Sequence, residues 1–187
     1  MRLDRGAVLA CVALAAGQAA AQDRPLTVPT RDVDVTYRAG RGTKATTQRS
    51  RWTAGGNRMR LDTPTPGVYV IVDYLAQTMA MVSDGDRGVL DLLVPPGGLP
   101  GQASAARYSR LGEAMVAGLP CTDWETVDSQ GQAAIACFTA DGVLLEARQG
   151  GAVLVQAVRV AYGPLDAGLF TVPPGYSHDV PAPGRSR

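Results

Sequence analysis

The sequence predicts a mainly β domain, and three observations support this. Short runs of four to nine residues alternate apolar and polar side chains, as strands with one buried face do. The chain contains 22 Gly and 13 Pro residues, which interrupt these runs at short intervals. Only one short segment of the domain favours a helix. We therefore expect many short strands joined by turns.

The first 21 residues predict a cleaved secretory signal peptide. Residues 1–5 form a short basic start, residues 6–16 are apolar but too few to cross a bilayer, and residues 19–21 are alanines typical of a cleavage site. We expect a single domain over residues 22–178, with a flexible tail over residues 179–187. Export predicts a periplasmic protein in an oxidising compartment.

A competing interpretation makes Cys11 a lipidated residue, since residues 8–11 loosely match a lipobox. The apolar core would then shrink to residues 6–10, which is shorter than such cores are. Lipoprotein anchoring at Cys11 is therefore not expected.

The mature chain is predicted to be electrically neutral, because the signal peptide removes two basic residues and one acidic residue. Nucleic-acid binding is not expected from this balance. The charges are unevenly placed, since residues 38–60 hold seven basic residues and no acidic one. One interpretation is the solvated face of an antiparallel sheet. The other is a patch for an anionic headgroup or acidic partner, with these candidates: Arg49, Arg51, Arg58 and Arg60.

The first half of the domain predicts six strands, at residues 32–38, 46–53, 57–62, 68–74, 77–82 and 89–94. The second and third flank a Gly-Gly connection and form a hairpin. In the second strand Arg49 and Arg51 share one face while Trp52 takes the other. In the third, Arg58 and Arg60 likewise oppose Met59 and Leu61. The basic side chains are therefore predicted to point outward.

The second half predicts a loop, a short helix and four more strands. Residues 95–101 are rich in Pro and Gly, and the alanine-rich residues 102–108 that follow favour a helix. Strands are expected at residues 119–127, 132–139, 143–148 and 152–162. Asp141-Gly142 is a hairpin signal between two of them.

Cys121 and Cys137 are the two cysteines left after the signal peptide, and we expect them to form a disulfide. A hairpin loop of three or five residues centred on Ser129 places these two cysteines directly opposite each other, at a distance that a disulfide tolerates. Their spacing is not that of a Cys-x-x-Cys redox site. Trp124, Ala134, Ala136 and Phe138 would form core on the other face of the hairpin.

No catalytic or metal-binding motif is present in the sequence. There is no Gly-x-Ser-x-Gly elbow, phosphate-binding loop or cluster of metal ligands, and His178 is the only histidine. The Asp84-Gly85-Asp86 tripeptide lacks the rest of a calcium loop and predicts a turn. We expect no enzyme activity, no cofactor and no metal.

Several short motifs resemble the LolA-like superfamily of periplasmic lipoprotein carriers, and most closely the exported DUF4412-type domains. They are spread along most of the mature chain, at residues 51–52, 58–64, 70–74, 116–124, 139–145 and 169–176. The resemblance implies a strongly curved antiparallel sheet, an incomplete β-barrel of about eleven strands with one or two short helices. Such carriers have a long helix before the first strand, which the prolines of residues 24–30 exclude here.

The resemblance also implies that the concave apolar face can hold a lipid, an acyl chain or a lipoprotein. Candidate lining residues on the predicted inner faces of the strands are Trp52, Met59, Leu61, Val70, Val72, Met79 and Met81. The alternative is an interaction module of the cell envelope, with a filled core, a protein partner and no small-molecule ligand. Peripheral contact with a membrane stays open.

Overall fold

A computed structural model describes residues 24–94, 99, 107–127 and 131–179. In this part of the chain twelve strands form one sheet. The strands are β1 (Val33–Ala39), β2 (Thr46–Thr53), β3 (Arg58–Asp62), β4 (Val68–Asp73), β5 (Thr78–Ser83), β6 (Gly88–Leu92), β7 (Ser109–Val116), β8 (Leu119–Val127), β9 (Ala133–Phe138), β10 (Leu144–Gln149), β11 (Ala152–Tyr162) and β12 (Ser177–Asp179). Two single-turn 3-10 helices complete it, at Gly42–Lys44 and Ala167–Phe170.

The strand order is β12-β6-β5-β4-β3-β2-β1-β11-β10-β9-β8-β7. Every pair is antiparallel except β12 with β6, which is parallel. Tight turns join consecutive strands, so β1–β6 form one meander and β7–β11 form another. The first strand, β1, joins them, because it pairs with β2 on one side and with β11 on the other.

The sheet is strongly curved. Residues of β7 approach residues of β11 to within 8 Å between Cα atoms, although three strands lie between them in the sheet. Bulges in β1–β11, β10–β11, β9–β10 and β7–β8 bend the strands in this half. The expected mainly β fold with a curved, incomplete barrel is confirmed.

The inner face of the curve is the one that carries Val33, Val35 and Trp52. Each is at most 3% exposed and belongs to the main core cluster, together with Val72 and Leu145. The outer face carries the side chains that alternate with them.

A second, smaller core lies on the outer face of β4–β6. It contains Tyr69, Ile71, Val82 and Val89, with Val172 and Tyr176 packed against it. These last two belong to the C-terminal segment, which we define as residues 163–179. The segment crosses the outer face of the first meander and ends as β12 beside β6.

Ten strands were predicted, with bounds that agree to within one or two residues. β7 and β12 were not predicted, so the structure has twelve strands where about eleven were expected. The predicted helix at residues 102–108 falls largely outside the described residues, and the described Arg107 and Tyr108 are not helical. The signal peptide, Cys11 and residues 180–187 of the expected tail also lie outside them.

The Cys121–Cys137 disulfide is present, but the predicted register of its hairpin is wrong. Cys137 lies opposite Asp123, and Thr122 lies opposite Phe138, so the two cysteines are diagonal neighbours. Their Cα atoms are nevertheless 5.5 Å apart. The twist of paired strands shortens one diagonal, which allows a bond between residues that are not directly opposed. Trp124 and Phe138 are buried on the other face of these strands, as expected.

The described residues contain no helix with the length and hydropathy needed to cross a membrane.

Candidate ligand-binding cavity

A hollow of about 540 Å³ lies on the inner face of the sheet. This volume is within the range of small-molecule sites, about 300–1,000 Å³. We call it the cavity. Its lining residues come from strands of both meanders, from the turns after β4 and β9, from the residue before β7 and from the chain before β1: Thr27, Val28, Pro29, Val33, Val35, Tyr37, Gln48, Ser50, Trp52, Met59, Leu61, Tyr74, Tyr108, Phe138, Gly142, Val143, Leu144 and Val155.

The alternation of side chains in β1–β3 explains why the cavity is apolar. Register places Val33 beside Trp52 and Met59 in one row, and Val35 beside Ser50 and Leu61 in the next. Every second residue of these strands therefore points into the concavity. Ser50 is the one small polar residue in these two rows, so the hollow has room beside it.

The lining is uncharged. None of the described lining residues is Asp, Glu, Lys, Arg or His. Burial raises the pKa of Tyr74 to about 12 and raises the pKa of Tyr108. Burial and the neighbouring Tyr162 raise the pKa of Tyr37, whose hydroxyl donates a 2.7 Å hydrogen bond to the Leu144 carbonyl. All three phenols are therefore neutral at physiological pH, and the cavity suits an apolar chain better than an ion.

The N-terminal segment, residues 24–31, crosses one side of the cavity in an extended form. The Thr30 amide donates to the Asp141 carbonyl at 2.9 Å, and the Arg31 guanidinium pairs with the Asp141 carboxylate at 2.6 Å while stacking 3.7 Å from the centre of the Tyr162 ring. Gly142 has a positive φ of 91°, and a Cβ there would clash with the Val28 carbonyl oxygen. The segment thus packs directly on the turn between β9 and β10. It is not helical, as its prolines predicted.

The seven predicted lining residues all lie on the inner face. Trp52, Met59 and Leu61 line the cavity. Val70, Val72 and Met79 pack in the core beside it, and Met81 continues the same row toward the edge of the sheet. The sequence pattern did not identify the contributions of Tyr37, Tyr108 or the N-terminal segment, because these depend on curvature and on contacts between residues far apart in the chain.

The four predicted patch arginines lie together on the outer face, and each is ion-paired. Arg49 pairs with Asp34, Arg58 with Asp73, and both Arg51 and Arg60 with Asp62. These three aspartates lie outside residues 38–60, which is why that stretch is purely basic in the sequence. Pairing neutralises much of the charge that an anionic partner would need.

Arg51 and Arg60 are not solvated as the outward-facing pattern suggested. Their side chains are 9% and 17% exposed, and Arg60 also donates to the Leu169 carbonyl at 3.4 Å and stacks on Tyr69. The C-terminal segment contacts Arg60 through Leu169, and its path could not be read from alternation within the strands.

Two other hollows differ from the cavity in carrying charged side chains. One, of about 360 Å³, is lined by Arg38 and Arg41 near the turn after β1. The other, of about 570 Å³, lies under the C-terminal segment and includes Asp73, Asp91 and His178. The described residues contain no cluster of three or more His, Cys, Asp or Glu side chains suited to a metal ion.

A curved open sheet with a hollow, apolar inner face defines a β half-barrel with a candidate site for an apolar ligand. Solved structures share this fold. An uncharacterised conserved protein from Thermus thermophilus matches 81% of this chain and 91% of its own length, with 14% identity and a TM-score of 0.57. PNGF-II matches 80% of this chain with 12% identity and a TM-score of 0.53, but only 31% of PNGF-II is covered.

The solved structures that match also include a lipoprotein-sorting domain. This is a domain from Vibrio parahaemolyticus assigned as an outer membrane lipoprotein-sorting protein, which matches 75% of this chain and 89% of its own length with 11% identity and a TM-score of 0.38. No family model matches the chain, for DUF4412 or any other family, and no curated protein matches it.

Proposed function

We propose that this protein is an exported, non-enzymatic carrier or binding domain that holds a lipid, an acyl chain or the acylated end of a lipoprotein in the cavity. The observation that carries the proposal is the uncharged apolar hollow of about 540 Å³ on the inner face. A filled inner face would instead have favoured the interaction module.

The lining supports an elongated ligand with one apolar end. Trp52, Val33 and Met59 form an apolar row near the start of β1, whereas Ser50 and Gln48 follow on β2. A hydrocarbon chain beside the first row loses contact with water, which is worth about 0.8 kcal/mol per buried methylene. The hydroxyl and amide of β2 can hydrogen-bond to an ester or carboxyl group at the other end.

The disulfide supports export. Structural disulfides persist in oxidising compartments, and the Cys121–Cys137 bond is almost fully buried. Together with the predicted signal peptide, this favours the periplasm.

The experiment compares two substitutions on the same strand that point to opposite faces. Ser50→Phe places a ring in the cavity, whereas Thr47→Phe places the same ring on the exposed outer face, opposite Arg38. Titration with a fluorescent fatty acid should show binding by the wild type, at least tenfold weaker binding by Ser50→Phe, and unchanged binding by Thr47→Phe.

Native mass spectrometry of protein purified from the periplasm gives an independent readout. We expect a bound amphiphile in the wild type and its loss in Ser50→Phe. A wild type that is repeatedly empty and does not bind the fatty acid would refute the proposal and favour the interaction module.

A further inference from the structure

The most exposed apolar side chains of the described residues lie at one end of the sheet. We call this the upper end; it is where β1 begins and β2 ends. Leu93 is 85% exposed, Leu75 is 74% exposed and Met115 is 66% exposed, although full burial of such side chains is favourable. All three are at the upper end, in separate stretches of the chain.

Strand register fixes this placement. Leu75 lies in the turn that joins β4 to β5, where Asp73 is paired with Thr78. Leu93 follows the last residue of β6, which pairs with Met79 next to the same turn. The two leucines are therefore neighbours on the rim of the sheet. Met115 lies next to the β7–β8 turn, at the same end of the other meander.

A fourth exposed apolar residue lies at the upper end, in the N-terminal segment. Leu26, in the N-terminal segment, is 38% exposed, and its Cβ lies 3.2 Å from the position that a Cβ on Gly142 would take. Gly142 is in the turn between β9 and β10, also at the upper end. Leu26, Leu75, Leu93 and Met115, which we call the apolar rim, thus stand on four different parts of the upper end.

The most apolar row of the cavity, with Val33, Trp52 and Met59, lies toward the same end. Tyr74, which lines the cavity, directly precedes Leu75 and packs edge-to-face on Trp52 at 5.0 Å between ring centres. Val28 and Pro29, which also line the cavity, follow Leu26 by two and three residues. Leu26 and Leu75 of the rim therefore adjoin lining residues along the chain.

We propose that the apolar rim docks the protein on a lipid surface, so that an acyl chain can pass between that surface and the cavity. Single leucines on separate turns can insert between lipid headgroups without the large, flat contact area that a stable protein interface needs. Leu26 and Leu75 would guide the apolar chain from that surface to the neighbouring cavity residues. The passage of an acyl chain rests on the proposed function, but docking on a lipid surface can be measured separately.

Flotation with vesicles of phosphatidylethanolamine and phosphatidylglycerol tests the docking. The double variant Leu75→Asp/Leu93→Asp is compared with Val127→Asp/Val153→Asp, which changes two exposed valines at the opposite end, 53% and 41% exposed. We expect the leucine variant to lose vesicle affinity by about tenfold or more, since two apolar insertions are replaced by charges. The valine variant should float like the wild type.

The fatty acid titration separates this inference from the proposed function. The leucine variant should bind the soluble fatty acid as the wild type does, whereas Ser50→Phe should still float but not bind it. Docking by the rim would be overturned by a wild type that does not bind the vesicles. It would also be overturned by valine and leucine variants that lose vesicle affinity equally, even if the cavity binds its ligand. Circular dichroism of each variant shows that it is folded.

Discussion

Asp62 is the carboxylate that two arginines of the outer face share. It accepts from Arg51 and from Arg60, and the Arg51 side chain is only 9% exposed. The Nε atom of Arg51 has no hydrogen-bond partner among the described residues, so its carboxylate partner carries most of the compensation for burying that guanidinium. A buried charge that loses its partner is costly, whereas an exposed pair contributes little.

We predict that Asp62→Asn lowers the free energy of unfolding by about 2–3 kcal/mol, because Arg51 is left buried without a counter-charge. Asp34→Asn is the matched control. It also removes an aspartate paired with an arginine on the outer face, but Arg49 is 46% exposed, so the loss should be below about 1 kcal/mol. Urea denaturation of both variants gives the two values. Equal losses would show that burial of Arg51 does not set the cost.

The face of the sheet to which a strand's side chain points was predictable from sequence, but the residues that it contacts were not. Alternation correctly placed Trp52 on the inner face and Arg51 on the outer one. It could not show that Asp62 pairs with Arg51, or that Leu169 contacts Arg60, because these contacts join residues on different strands or far apart in the chain.

At the scale of elements, the hairpin of β8 and β9 is the one held by a covalent bond. Cys121 and Cys137 are 2% and 1% exposed and join the main core cluster. The bond lies between two strands of the more strongly bulged meander, where the backbone pairing is interrupted most often.

We predict that the double variant Cys121→Ser/Cys137→Ser is destabilised by about 3 kcal/mol, the amount expected for opening a loop of this size. Thermal unfolding of the variant should match that of the wild type in a reductant strong enough to open the bond. A thiol assay shows whether the reductant has opened the bond. If it has, and the wild type still unfolds at the same temperature with and without reductant, this expectation is contradicted.

The two strands that the sequence did not predict share a weak local signal. β7 contains Arg110, Gly112 and Glu113 around a bulge at Leu111, so apolar and polar residues do not alternate along it. β12 has three exposed residues and forms only because the C-terminal segment brings them beside β6. Both are edge strands, which are specified by a single neighbour rather than by two.

At the scale of the whole molecule, aspartates bind arginines or backbone amides at many points of the sheet. The Arg49 guanidinium holds the pKa of Asp34 below its usual value. The Ala76 amide, with help from Arg58 and the Leu75 amide, does the same for the pKa of Asp73. Both carboxyls are more acidic in the folded protein than in the unfolded chain, where an aspartate has a pKa of about 3.9.

We predict that the free energy of unfolding is constant between pH 7 and 5 and decreases as the pH falls below about 4. In that range the unfolded chain takes up protons before the folded protein does, so protonation favours unfolding. Urea midpoints at pH 7, 5, 4 and 3 measure the effect. Asp73→Asn keeps an oxygen that can accept from the two amides but removes one titrating group, so its midpoints should fall less steeply. Identical slopes would show that Asp73 does not contribute.

Because β1 lies between the two meanders, folding of the sheet cannot be completed until β11 is available. Synthesis delivers residues 33–39 early, and β2 can pair with them at once, but β11 is made more than a hundred residues later. Until then the nascent first meander has an unsatisfied strand edge and an uncovered apolar surface, the features that lead to aggregation. The protein should therefore depend on folding helpers during its biogenesis more than a domain built from local contacts alone.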